Sequence, residues 1–185
     1  MLLSIQQQES DYTMIEILKD SLWKQFGASI DMLQHAINQW PEEYWQTEKK
    51  FFYITYHTIL FLDYYLEVPA IELTTSPLPF TLTADENIPV DAIDDLVPDK
   101  IYSKLELLNY LQSCRDKFKY LLNELDETKI TEHWVEKSGN KKFPVVELLL
   151  YNMRHVQHHA AQLNMLLRQR TGNAPGWVRE VKDDR

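Results

Sequence analysis

The sequence of 185 residues contains little cysteine and little glycine, and each shortage excludes a class of structure. With Cys114 as its single cysteine, the chain forms no internal disulfide and lacks the several cysteines of a cysteine-rich zinc site. Its four glycines are too few for a turn-rich β architecture, and their spacing matches no phosphate-binding loop. Hydrophobic residues nevertheless make up 44% of the chain, as in folded globular proteins. We therefore expect a helical protein in which Cys114 is an ordinary, half-buried thiol.

Basic residues are also scarce, with 19 against 28 acidic residues and a formal net charge of −9. Such a surface repels phosphate backbones and anionic lipid headgroups, so we expect no nucleic-acid partner and no membrane partner. The most apolar segment, FFYITYHTILFLDYYLEV, is interrupted by His57 and Asp63 and falls short of the roughly 20 residues that span a bilayer. The segment MLLSIQQQESDY lacks the basic start and apolar run of a signal peptide, and we expect a cytoplasmic protein.

Apolar residues recur at helical spacing in four long segments, which predict four helices. The predicted helices run from Ser10 to just before Pro41, from Lys49 to Leu66, from Ser103 to Leu125, and from Pro144 to Arg170. The second segment is apolar on nearly every side, so we expect neighbours to pack all round it.

Residues suited to helix ends flank these segments. Ser10 or Asp11 is available as the cap of the first helix, because a short polar side chain can accept from the free backbone N–H groups. Ser103 is followed three residues later by Glu106, which predicts a capping box. Gly172 follows the last helix and suits a left-handed cap.

The segment between the second and third helices, from Pro69 to Lys100, contains five prolines and cannot form a regular helix. We predict a long crossover with one helical turn near residues 91–96. A shorter polar segment before the fourth helix predicts an extended piece around residues 130–135. The fold class is therefore an all-α four-helix bundle with a long crossover between helices two and three. We expect one domain over residues 1–185, with a tail from about residue 173 in which Trp177 packs on the bundle.

Three of the six histidines lie in one stretch of the fourth helix, RHVQHHAAQLN. His155 and His159 are four residues apart, so both imidazoles can face one ion. His155 and His158 are three residues apart and form the alternative pair, and spacing alone does not decide between them. The plain alternative is that these are hydrogen-bonded or surface side chains. His35 and His133 lack such neighbours and are interpreted as surface residues.

His57 is the candidate third ligand, because a catalytic type of metal site usually has three protein ligands and an open position. It lies in the middle of the aromatic second helix, with Tyr53, Phe61 and Tyr64 at helical spacing. An imidazole without a polar partner would be costly there. Two interpretations remain open: a hydrogen bond to a tyrosine or backbone carbonyl, and a metal shared with the last helix.

Two familiar metal motifs are excluded by the residues around the histidines. The Glu-x-x-His pairs of di-iron bundles are absent, because no histidine has glutamate three positions before it. The zincin motif His-Glu-x-x-His is absent because Val156 follows His155.

The arrangement resembles the DinB-like superfamily, the damage-inducible four-helix bundles that include bacillithiol-transferase-like proteins. The resemblance lies in an aromatic second helix with one histidine, a proline-rich crossover, and the last helix LLLYNMRHVQHHAAQLNMLLRQRTGNAPGWV. Its most specific element is the pattern His-x-x-His-His-x-x-Gln-Leu, from His155 to Leu163, joined to the distant His57. The resemblance implies a divalent metal ion, zinc or nickel, held by His57, His155 and His159. His158 would then lie beside the site.

The resemblance also implies a function. The family includes stress-response enzymes that transfer low-molecular-weight thiols such as bacillithiol, mycothiol or glutathione, and we expect a metal-dependent thiol transferase acting on a small-molecule thiol and an electrophile. Family habit implies a homodimer. The crossover and the tail around Trp177 are the predicted walls of the pocket. The alternatives are a non-catalytic metal-binding stress-response bundle protein and a purely structural role for the histidines.

Overall fold

The computed structural model describes residues 13–182, and these are mainly helical. Four long helices dominate: α1 (Met14–Gln39), α2 (Lys49–Tyr64), α3 (Lys104–Glu124) and α4 (Val145–Thr171). Short 3-10 turns lie at Glu42–Tyr44, Leu73–Thr75, Asp85–Asn87 and Lys129–Thr131. The prediction of a helical protein is confirmed, and each predicted helix is present with similar boundaries.

The helix ends follow the capping rules with one change at the start. The Thr13 side chain accepts from Glu16 N, so α1 begins at Met14, while the predicted caps Ser10 and Asp11 lie outside the described residues. The predicted capping box is confirmed, because Ser103 and Glu106 satisfy each other's backbone N–H. Gly172 closes α4 with φ of 75°, the left-handed conformation that glycine adopts without strain.

The helices bury their apolar stripes against one another. Helix α1 packs against α3 and α4, and α2 packs against the same two helices. Leu33 of α1, Phe118 of α3 and Leu163 of α4 are completely buried in the shared core. Cys114 is also completely buried, so the expectation of a half-buried thiol is wrong, and burial raises its pKa well above the ordinary range.

Helix α2 is the most apolar of the four and is packed nearly all round, as predicted. Eleven of its side chains are buried, and His57, Phe61 and Asp63 are among the few that keep partial exposure. Within residues 13–182, no helix is both long enough and apolar enough to cross a membrane.

The crossover contains strands that the sequence did not predict. Strand β1 (Phe80–Leu82) pairs antiparallel with β2 (Leu96–Pro98). Residues 91–96 contain turns and bends, so the predicted helical turn there is wrong. Proline is compatible with this hairpin because both strands of a two-stranded sheet are edge strands. An edge strand tolerates a residue without a backbone N–H, whereas a central strand would lose a hydrogen bond.

A second hairpin precedes α4. Strand β3 (His133–Val135) pairs antiparallel with β4 (Lys142–Pro144), which confirms the predicted extended piece in part. Trp134 is completely buried, and its indole N–H donates to the carbonyl of Glu67 at 2.9 Å. The two hairpins correct the all-α expectation to mainly α.

The tail is attached differently from the prediction. Trp177 is 72% exposed, so the expectation that it packs on the helices is wrong. Val181 is buried instead, and its N–H donates to the carbonyl of Lys24 at 3.1 Å. A Cβ at Gly27 would lie 3.1 Å from Val181 Cγ1, so the small residue in α1 makes room for the tail.

Candidate metal centre

Helices α2 and α4 bring three histidines together. Each of His57, His155 and His159 offers a ring nitrogen within 4.8 Å of the other two. Nε2 of His57 lies 3.1 Å from Nε2 of His155, although the two residues are 98 positions apart in the chain. Spacing left two pairs open, and the structure places His159 with His155 in this group, which we call the histidine cluster.

The position of the cluster follows from how α4 is fixed against α2. The buried Asn152 side chain, one turn before the histidines, donates to the carbonyl of Leu62 at 3.0 Å. Phe61 packs against His57 with ring centroids 4.7 Å apart and against His155 at 5.8 Å. These contacts hold the helices in register and restrict the rotation of the two imidazoles.

In His57 and His159, a hydrogen bond at Nδ1 fixes the orientation of the ring and so the direction of Nε2. Nδ1 of His57 lies 2.6 Å from Oδ2 of Asp94, and Nδ1 of His159 lies 2.8 Å from Oε1 of Gln162. Both oxygens are acceptors, so each Nδ1 carries the proton and donates it. In the neutral form of each imidazole the lone pair is therefore on Nε2, as in metal sites where the second nitrogen bonds to a carboxylate or carbonyl.

His155 is the member whose hydrogen bonding is incomplete. Its Nδ1 is buried and has no hydrogen-bond partner among residues 13–182. If the two close Nε2 atoms share a hydrogen bond, His155 must donate, because the proton of His57 is already on Nδ1. That leaves the Nδ1 lone pair of His155 buried without a donor, which costs free energy. The protein atoms alone therefore do not satisfy the cluster.

The two histidines of α4 are neutral at physiological pH. Burial, followed by the nearby His159 and His57, lowers the pKa of His155 to about 3. Burial also lowers the pKa of His159 to about 4, although the hydrogen bond with Gln162 acts in the opposite direction. Neutral imidazole is the form that binds metals, so His155 and His159 do not have to release protons at pH 7.

The donor set fits a divalent transition metal. Tetrahedral zinc with Zn–N bonds of about 2.05 Å separates two ligand nitrogens by about 3.3 Å. The 3.1 Å between the Nε2 atoms of His57 and His155 is close to this value. Imidazole suits zinc, nickel, copper and iron, and three protein ligands leave coordination positions open for another molecule.

The other histidines lie outside the cluster. His158 is exposed, and its ring is 5.0 Å from that of His159, so it lies beside the site as expected. His35 and His133 are exposed, which confirms them as surface residues.

A cavity of about 740 Å³ reaches the cluster at His155. Its walls come from α1, α4 and the tail, and include Gln25, Ser29, Arg154, His155, His158 and Trp177. Trp177 lines this cavity, and its role in a substrate pocket stays a prediction. The crossover, also expected to line it, instead meets the cluster from another side through Asp94. The volume lies in the usual range for small-molecule sites.

Sequence reasoning gave no role to Asp94 or Gln162. Gln162 could have been found, because it lies three residues after His159 and so on the same face of α4. Asp94 is 37 positions from His57 in an irregular segment, and no periodicity connects them.

Comparison with protein families matches residues 25–163 to the DinB superfamily. The chain belongs to the DinB superfamily. The matched region contains the histidine cluster and the two residues that bond to it, Asp94 and Gln162. No curated protein and no solved structure matches the chain. Membership of the DinB superfamily and the three-histidine cluster together fit a metal-binding DinB-like protein.

Proposed function

We propose that this protein is a divalent-metal-dependent enzyme that transfers a low-molecular-weight thiol to an electrophile. The ligands are His57, His155 and His159, and the metal is zinc or nickel. The observation that supports this most is the convergence of three imidazoles from two helices within 4.8 Å. The proposal includes the fold predicted from the sequence, one domain over residues 1–185 built as a four-helix bundle with a crossover.

The chemistry of the donor set favours reactions of an ionisable cosubstrate. A divalent ion held by neutral ligands keeps its full positive charge and, when bound, lowers the pKa of a coordinated thiol or water. The protein's own thiol is unsuited to the role of nucleophile, because Cys114 is completely buried and its pKa is raised. The proposed nucleophile is therefore the thiol of the cosubstrate.

The residues around the cluster provide orientation and access. Asp94 and Gln162 hold two imidazoles by their Nδ1 atoms, and Phe61 packs against His57 and His155. The cavity beside His155 has room for a small molecule next to one of the three proposed ligands. In the transfer, the thiol releases its proton to solvent and its sulfur forms a bond to the electrophilic carbon, which accepts the electron pair or expels a leaving group.

Metal content tests the ligand assignment. We expect near-stoichiometric zinc or nickel in the untagged protein after reconstitution, and loss of the metal in His57→Ala and in His155→Ala. His35→Ala and His133→Ala are matched controls, because each removes an exposed imidazole outside the cluster. Metal retained equally in all four variants would overturn the assignment.

Turnover tests the enzyme class. The metal-loaded protein is assayed with bacillithiol, mycothiol and glutathione against 1-chloro-2,4-dinitrobenzene, and we expect thioether formation that His155→Ala abolishes and His35→Ala preserves. A protein that keeps its metal but forms no thioether with any of the three thiols is the non-catalytic metal-binding alternative.

A further inference from the structure

The crossover meets the histidine cluster through one carboxylate. Oδ2 of Asp94 lies 2.6 Å from Nδ1 of His57, with the two side chains 26% and 15% exposed. His159 is oriented differently, by the neutral amide of Gln162 on its own helix. Among the described residues, Asp94 is the carboxylate that bonds directly to an imidazole of the cluster.

Asp94 is held firmly by its own segment. Its second oxygen, Oδ1, accepts from the N–H of Leu96 at 3.1 Å, at the start of β2. The carbonyl of the next residue, Asp95, accepts from Thr83 N at 2.9 Å, which closes the hairpin beyond the last paired residues. Both oxygens of Asp94 therefore have fixed partners, one in the crossover and one in α2.

The hairpin that carries Asp94 is itself attached to the helices. The hydroxyl of Tyr56, in the turn of α2 before His57, donates to the carbonyl of Leu78 at 2.5 Å. The hydroxyl of Tyr102 donates to the carbonyl of Pro79 at 2.7 Å. These bonds hold the two residues just before β1. The hairpin that carries Asp94 is therefore attached to the rest of the protein at that point.

The contact decides which nitrogen of His57 can bind a metal. A free neutral imidazole favours the proton on Nε2, which would block the atom that faces His155. A carboxylate at Nδ1 reverses this preference, because it accepts the proton of Nδ1 and leaves the Nε2 lone pair free. It also increases the electron density of the ring and so strengthens the ligand.

We propose that Asp94 is a positioning residue of the metal site, which holds His57 in the tautomer that binds the ion and thereby couples metal binding to the crossover. The proposal rests on the proposed metal site. Thermodynamic coupling is reciprocal. If the contact of Asp94 with His57 strengthens metal binding, then bound metal stabilises that contact, and with it the docked crossover, by the same free energy. The crossover is then a part of the site, although it lies outside the two helices that supply the ligands.

The test compares three single variants of the full chain. Asp94→Ala removes the acceptor and the charge, whereas Asp94→Asn removes the charge and keeps an oxygen. Asp95→Asn is the matched control, since it makes the same charge change one residue away and preserves the backbone carbonyl that closes the hairpin. The affinity for Zn²⁺ is measured by competition with a chromophoric chelator.

We expect Zn²⁺ affinity to fall 10–100-fold in Asp94→Ala, the range typical of partners that orient metal ligands. Asp94→Asn should lie between Asp94→Ala and the parent, and Asp95→Asn should bind within about twofold of the parent. Equal affinity in all of these proteins overturns the inference and leaves the metal site intact. A parent that binds no Zn²⁺ overturns the proposed function, and this inference with it.

A second readout does not depend on metal. In the metal-free parent, nitrogen-proton correlation of the imidazoles should show the proton of His57 on Nδ1. In metal-free Asp94→Ala it should move to Nε2, with an unchanged far-ultraviolet circular dichroism spectrum to show that the fold is intact. A His57 tautomer that is the same in both proteins contradicts the role of Asp94.

Discussion

Two polar clusters lie on helix α2 and the residues just after it, and their members find partners in opposite ways. Toward α3, Asp63 and Glu67 both pair with Lys117, and the hydroxyl of Tyr110 donates to Asp63 at 2.9 Å. We call this group the ion-pair cluster. Toward α4 lies the histidine cluster, in which three bases of the same kind face one another and the Nδ1 of His155 has no partner among the described residues.

The difference separates a structural group from a binding group. In the ion-pair cluster every charged member has a partner of opposite charge, and although burial acts to lower the pKa of Lys117, the hydrogen bonds that it donates to Asp63 and Glu67 raise it. Nothing further is required to satisfy its members. The histidine cluster instead brings three imidazole nitrogens within 4.8 Å of one another, a donor set that fits a divalent metal ion. Polar residues among packed helices therefore indicate a ligand when their donors and acceptors do not balance.

The comparison predicts, first, that zinc stabilises the protein through the histidine cluster alone. Free zinc at about 100 times its Kd should add about 2.7 kcal/mol to the free energy of unfolding. For a chain of this size that is roughly 5–10 °C in Tm. The shift should disappear in His57→Ala and remain in Lys117→Met, measured by thermal unfolding with and without zinc.

One outcome of this experiment would contradict the prediction. If zinc raises Tm equally in the parent and in His57→Ala, the metal binds elsewhere, and the imbalance of the histidine cluster would not indicate a ligand.

The second prediction concerns Lys117→Met, which removes the cation that pairs with two carboxylates. Breaking a buried pair costs about 3–5 kcal/mol, and since the Lys117 side chain is 30% exposed, we expect about 2 kcal/mol. The loss should appear in urea unfolding of the metal-free protein. Lys119→Met, on the same helix, is the control. Zinc content should not change, because Lys117 is outside the histidine cluster.

Sequence patterns predicted the helices well because their signals are local. The apolar spacing, the Ser103 and Glu106 capping box and the left-handed Gly172 all act within a few residues. The strand pair β1 and β2 was missed because three-residue strands are too short to show alternation. The side chain that packs the tail was also missed: Val181, not Trp177, fits against Gly27, and that choice depends on the shape of α1.

In the candidate site, too, the local features were predicted and the contacts between distant residues were not. Helical spacing placed His155 near both His158 and His159, and only the direction of α2 selects among them. The contact of His57 with His155 joins residues 98 positions apart, and the contact with Asp94 joins residues 37 apart. Such contacts are set by how the elements pack, which composition and periodicity do not encode.

The third prediction tests the orientation of His159. Gln162→Ala removes the acceptor for Nδ1, and we expect Zn²⁺ affinity to fall about tenfold, near the lower end for orienting partners because the amide is uncharged. Gln162→Glu should restore the affinity, since it keeps an oxygen at the same position. Gln169→Ala changes an exposed glutamine of the same helix and should have no effect. Equal losses in the two alanine variants would indicate a general effect on α4.

The smallest expected effect is that of Tyr110→Phe in the ion-pair cluster. The change removes one hydrogen bond to Asp63, which keeps its bond to Lys117, so the free energy of unfolding should fall by about 1 kcal/mol. Tyr110 and Lys117 share Asp63 as a partner. The loss of unfolding free energy in the double variant should therefore differ from the sum of the two single losses by at least about 0.5 kcal/mol. Tyr110→Phe combined with His155→Ala should be additive, since the two clusters share no partner. Coupling between Tyr110 and His155 would show that α2 transmits strain from one cluster to the other, and the separation of a structural group from a binding group would then have to be abandoned.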